Sequence, residues 1–278
     1  MRAARVALLA MLWGAPAMAQ PMDHSQHDMS AMAQPPQPTA TTTGDFAADR
    51  FYDPAAMARA RQVLRAEHGG MSTSKVMANL AEYQAGAGGG YRWEGEAWTG
   101  GDLNRFMVKS EGEGSRREGV GAAEVQALYS RAVAPYTDIQ IGVRQDFAPG
   151  PARTYAAVGF EALLPYWLEA QGGLYLSGKG DLLARLEGTY DLRLTQRLIL
   201  QPRAELNFAA QDSRATKTGA GLSRAELGLR LRYEIRRELA PYVGVSYDRA
   251  YGRTADFARA AGHDASDTRL VMGLRAWF

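Results

Sequence analysis

One pattern constrains this chain more than any other: apolar and charged residues alternate singly, over stretch after stretch. In LSRAELGLRLRYEI, Leu227, Leu229, Leu231, Tyr233 and Ile235 fall on one side of an extended strand, and Arg224, Glu226, Arg230, Arg232 and Glu234 on the other. Successive side chains of a strand point to opposite faces, so a period of two makes each face chemically uniform. Residues 182–192 set Leu182, Ala184, Leu186, Tyr190 and Leu192 against Arg185, Glu187, Thr189 and Asp191. Residues 197–208 set Leu198, Leu200, Leu206 and Phe208 against Gln201, Arg203, Glu205 and Asn207, and residues 137–147 set Ile139, Ile141, Val143 and Phe147 against Asp138, Gln140, Arg144 and Asp146.

A soluble antiparallel sheet hides its apolar face in a core and wets the charged one. A closed barrel in an outer membrane turns the apolar face to lipid and the charges into a polar lumen. Three features favour the barrel. The segments run about ten residues, the length of a tilted membrane strand. Aromatics gather at strand ends as interfacial girdles: Tyr91, Trp98, Tyr136, Phe147, Tyr166, Trp167, Tyr190, Phe208 and Tyr242. The last segment, 269–278, places Leu270, Met272, Leu274, Ala276 and Phe278 on one face and finishes on an aromatic. The predicted fold is therefore all-β: an antiparallel transmembrane β-barrel of about twelve strands, with ten as the second even count. A one-residue slip of the 222–235 strand would carry Arg230 and Arg232 into lipid at about 2–4 kcal/mol each, which fixes its register. The first pair, 75–84 and 91–99, alternates least regularly. In the lumen, Arg203 and Glu205 beside Arg185 and Glu187 predict ion-pair ladders between neighbouring strands.

The remainder divides into three parts. Residues 1–19 read as a secretory signal: Arg2 and Arg5, an apolar run, then the small-x-small Ala17-Met18-Ala19, with Gln20 following the cut. Residues 20–44, rich in Met, Gln, Pro and Thr, bury too little apolar surface to offset ordering and predict a disordered tail. Residues 45–74 predict a helical periplasmic segment, with Asp53 as N-cap, Pro54 at the first helical position, Gly69-Gly70 as the stop, and a thin apolar face of Met57, Ala60, Val63 and Leu64. Residues 75–278 form the barrel. The chain has 32 basic and 30 acidic residues and no cysteine, which argues against a polyanion binder and leaves nitrogen, oxygen and thioether sulfur for any binding chemistry.

Few residues stand out chemically. Met77 and Met107 point into the charged lumen in this register, and thioether sulfur is a soft ligand suited to Cu(I). In the tail, PMDHSQHDMS groups His24 and His27 with Met22, Met29 and, close by, Met32: imidazole for Cu(II), thioether for Cu(I), with Asp23 and Asp28 as oxygen donors. His68 and Met71 form a second His-Met pair, although a histidine at a helix C-terminus also complements the helix dipole. His263, near Asp264, Ser266 and Asp267, lacks the combination of nucleophile, base and oxyanion donors that catalysis needs, so no enzymatic activity is expected.

Longer blocks resemble the CopB family of copper-resistance proteins of the Gram-negative outer membrane. They are DRFYDPAAMARARQVLRAEHGG, GGDLNRFMVKSEGE, LYSRAVAPYTDIQIGVRQDFAPGPARTYAAVGFEALLPYW, LTQRLILQPRAELNF, GLSRAELGLRLRYEIRRELAPYVGVSYDR and TADFARAAG. The resemblance implies an outer-membrane barrel with a periplasmic tail, copper binding, and copper resistance by export or sequestration, with membrane lipid, copper ions and a periplasmic copper-binding protein or copper oxidase as partners. The family's Met/His-rich leader is here a single MDHSQHDM. The competing expectation is a general pore or structural barrel with no metal role.

Overall fold

The computed structural model describes residues 46–68, 71–86, 89–117, 119–148 and 150–278, in two compact units divided between Glu67 and His68. The signal and tail of the sequence reading lie outside the described residues.

In the first unit, helix α1 spans Pro54–His68. Asp53 caps it, accepting from the Ala56 and Ala55 amides at 3.0 and 3.4 Å, as the Asp-Pro start predicts. Arg61 folds back to Asp49 through two contacts of 2.5 and 3.1 Å and lies 4.2 Å from the Phe46 ring centroid.

The second unit is a barrel. Its strands are β1 (Thr73–Ala85), β2 (Gly90–Gly100), β3 (Asn104–Ser115), β4 (Gly119–Ala134), β5 (Thr137–Ala148), β6 (Arg153–Leu164), β7 (Leu168–Ser177), β8 (Leu182–Tyr190), β9 (Leu192–Arg193), β10 (Leu198–Ala209), β11 (Gly221–Tyr233), β12 (Leu239–Ala250) and β13 (Ser266–Trp277). β8 and β9 both pair with β10 and share one stave, interrupted at Asp191. Every pairing is antiparallel, and β13 pairs with β1, so twelve staves close without an edge. Closure satisfies the backbone polar groups that lipid cannot. The expected twelve strands are present.

The connections differ between the two ends. At the end where β1 starts and β13 finishes, here the proximal end, turns are short, such as Pro135-Tyr136 and Pro165-Trp167. The distal end carries the longest connections, 210–220 and 251–265, the latter containing helix α2 (Gly252–Ala260).

The alternation sorts as predicted. Ile141, Val143, Val158, Leu174, Leu227, Leu229, Val243 and Leu270 are exposed on the outer wall, while Gln140, Arg144, Glu187, Arg203, Glu205, Glu226, Arg230 and Arg232 are buried in the interior. Exposed aromatics flank the aliphatic band: Phe106, Tyr136, Tyr166 and Trp167 at the proximal end, Tyr83 and Phe147 at the distal end. Tyr166 and Trp167 both adopt φ 65° in the 165–167 turn, a conformation bulky residues rarely enter, and it throws both rings outward.

Two aromatics depart from the predicted girdle. Tyr242 shares its strand parity with Ser246 and is buried in the lumen beside Arg230. Trp98 is also a lumen residue, paired in register with Met107 and overlain by the Arg105 guanidinium at 4.8 Å. Strand parity decides the face, and position near a strand end does not. The irregular first pair also has a cause. β1 carries a bulge between Ala78 and Leu80 against β2, and one extra residue inverts the phase, so Leu80, Glu82 and Gln84 face inward after it.

Candidate functional site in the lumen

The interior is built from charge, and its contacts run both around the wall and across it. Around the wall, Arg203 on β10 donates to Glu187 on β8 at 2.8 and 2.9 Å, and Arg185 on β8 lies 3.6 Å from Glu205 on β10, the ladder expected from the sequence. Across the lumen, Arg203 reaches Glu94 on β2 at 2.9 Å, Arg92 on β2 reaches Glu205 at 3.1 Å and also contacts Glu226 on β11. Arg185 contacts Glu111 on β3 and reaches Glu124 on β4 at 3.0 Å. These transverse pairs were not legible in the sequence, which fixes the face of each residue but not which distant wall it meets.

Arginine suits this role because its planar fork keeps its charge and serves several carboxylates at once. Glycines on the inner face make room for the bulk. A Cβ on Gly273 would stand 2.5 Å from the Tyr242 hydroxyl, and one on Gly228 would stand 2.4 Å from an Arg230 nitrogen. Glycine recurring at inward positions of charged strands was the available sequence signal. Deepest of all, Arg230 and Glu82 join at 2.8 Å with side chains 1% and 0% exposed.

The thioethers lie at the proximal end of the same interior. Met107 is buried with Leu128, Tyr155, Ala157 and Tyr175, and its sulfur accepts from Gln140 Nε2 at 3.6 Å. The Met77 sulfur accepts from Arg275 Nη2 at 3.9 Å. In register Met77 stands opposite Glu96, and Met107 opposite Trp98, the inward neighbour of Glu96 on β2. Thioether sulfur is a weak acceptor, so neither contact is a strong one. Both methionines thus face the lumen on β1 and β3, with β2 between them.

The other candidates are placed differently. His68 ends α1, and its side chain lies outside what the structure describes; Met71 is 70% exposed just before β1. Met22, His24, His27, Met29 and Met32 lie outside the described residues. His263 is exposed in the connection after α2, donating its backbone amide to the Ala258 carbonyl at 3.0 Å. Among the described residues no group of three or more His, Asp or Glu side chains is placed to hold a metal ion. Among those residues also, no helix is long and apolar enough to cross a membrane; the crossing elements are strands.

An aliphatic outer band between aromatic girdles, closed pairing and a charged interior define a transmembrane β-barrel of the outer-membrane type. The chain belongs to the copper resistance protein B family: the model described as "Copper resistance protein B precursor (CopB)" matches residues 72–278. Copper resistance protein B of Escherichia coli is 49% identical over 188 residues, covering 68% of this chain and 63% of that protein. The Copper resistance protein B homolog of Pseudomonas syringae pv. tomato is 40% identical over 280 residues, covering 97% of this chain and 92% of that one. Solved structures with similarity include the NanC porin (14% identity, TM-score 0.47, 73% of this chain and 99% of that one) and the KdgM porin (12% identity, TM-score 0.43, 73% and 99%).

Proposed function

We propose that this barrel confers copper resistance at the outer membrane by exporting or sequestering copper, with copper as its cargo. Membership of the copper resistance protein B family carries the reading. Its support within the chain is a choice of soft donors: Met22, His24, His27, Met29 and Met32 in the tail for capture, and Met77 and Met107 inside the proximal lumen for reception. His68 and Met71 lie between these two sets in sequence and extend the same donor chemistry. The proximal end faces the periplasm in this reading, because short turns mark the periplasmic side of such barrels and long loops the outer one. The tail, which precedes the barrel, then meets copper on the periplasmic side, where a copper-binding protein or copper oxidase delivers it.

Titration of the purified full-length protein with Cu(I), under anaerobic conditions, tests the site assignment. Loss of one binding event on Met77→Leu with Met107→Leu, and of another on His24→Ala with His27→Ala, Met22→Ala and Met29→Ala, is the expected result. Unchanged stoichiometry in both variants would remove these residues as ligands. A general pore would bind no copper in either form.

A further inference from the structure

We infer that the barrel is shut to free diffusion by its own side chains, at a bar of guanidinium and carboxylate groups across the middle of the lumen, and that it conducts ions only when this bar parts. The inference does not rest on the copper reading and would hold for any cargo.

The bar is recognised by which walls it joins. Between β2 and β10 lie four staves in one direction (β1, β13, β12, β11) and six in the other (β3 to β8). Contacts between Arg92 and Glu205 at 3.1 Å, and between Arg203 and Glu94 at 2.9 Å, are therefore chords through the interior and not rungs along the wall. Arg185 adds a second set of chords, from β8 to Glu111 and Glu124 on β3 and β4. The three arginines are linked through Glu205, which meets all of them. Though they line what could be a water channel, Glu124, Glu187, Arg203 and Glu205 are buried. Beside the bar, a cavity of about 50 Å³ remains against Glu94, Glu111, Glu124, Arg185 and Glu187, room for a few waters.

Arg203 and Arg185 each serve carboxylates from both sides of the lumen. Removing one leaves acids of two walls facing each other with no shared counter-charge, and their repulsion favours parting. The void is walled by Glu94, Glu96, Glu111, Glu124 and Glu187 against Lys109 and Arg185. A path opened through it is net negative, so it admits cations in preference to anions, as rings of carboxylates do in cation channels.

The test is conductance of the purified full-length protein in planar bilayers of potassium chloride. The wild type should give no steady channel. Arg203→Gln and Arg185→Gln, shown to be folded by heat-modifiable gel mobility, should each raise steady current about tenfold or more, with potassium preferred over chloride. A steady open wild-type channel, folded variants that stay silent, or a chloride preference would each overturn the proposal. Should both variants fail to fold, liposome swelling decides on the wild type alone: entry of a small neutral sugar no faster than into protein-free vesicles supports the bar, and porin-like swelling refutes it.

Discussion

The Arg230 to Glu82 pair offers a direct measure of how the charged interior is held. Both side chains are essentially inaccessible and meet at 2.8 Å. Arg230→Met removes the guanidinium while keeping most of the stem. Glu226, the other carboxylate near Arg230 at 3.8 Å, retains Arg92. Glu82 then keeps the Gln84 amide at 3.2 Å but, among the described residues, no ion-pair partner, short of what a buried carboxylate needs. Breaking one side of a buried pair in this way costs about 3–5 kcal/mol. With a guanidinium chloride slope of about 4 kcal/mol per molar, the unfolding midpoint should fall by roughly 1 M. Replacing both partners, Glu82→Met with Arg230→Met, removes the orphaned charge and should recover most of the loss. Reversible unfolding in phospholipid vesicles, followed by tryptophan fluorescence, reads all three proteins. If the single variant fell within about 1 kcal/mol of wild type, or if the double variant were no more stable than the single, the view of the lumen as a desolvated ion-pair network would be wrong.

Other perturbations probe the two faces separately. Leu229→Arg places a charge on the outer wall beside Val245 and Pro202 and should cost about 2–4 kcal/mol if it sits near the bilayer midplane, with poor vesicle insertion as the readout. Gly273→Ala drives a methyl toward the Tyr242 hydroxyl and, at 2.6 Å, the Ala81 carbonyl. It should destabilise by about 1–3 kcal/mol through overpacking in the same unfolding assay, and pairing it with Tyr242→Ala should relieve part of that.

The outer fold was legible because its signal is local. Leu227 to Tyr233 declare their two faces without reference to any other segment, and a one-residue slip is too costly to compete. Legibility fails where structure depends on something beyond local parity. A single bulge in β1 reverses the phase, so Leu80 faces the lumen although simple alternation from Met77 would place it outside. Tyr242 and Trp98 resemble girdle aromatics by position, yet parity and the space left by Gly273 take Tyr242 inside. The wall ladder between Arg203 and Glu187 follows from neighbouring strands, whereas the chords from Arg92 to Glu205 and from Arg203 to Glu94 depend on barrel closure. The inward aim of Met77 and Met107 was readable for the same reason as the strands. Their meaning for copper comes from soft-ligand chemistry and family membership, as does that of the tail residues Met22, His24, His27, Met29 and Met32.

Copper tolerance in a copper-sensitive Gram-negative host lacking its own homologue tests the central claim most directly. Complementation with the full-length chain should restore growth in copper and change the copper content of the cell envelope. A chain carrying Met22→Ala, His24→Ala, His27→Ala, Met29→Ala, Met77→Leu and Met107→Leu, inserted to the same level, should restore little of either. Equal tolerance from the two chains would contradict the thioether and imidazole route, and failure of the wild-type chain to protect would contradict the copper role itself.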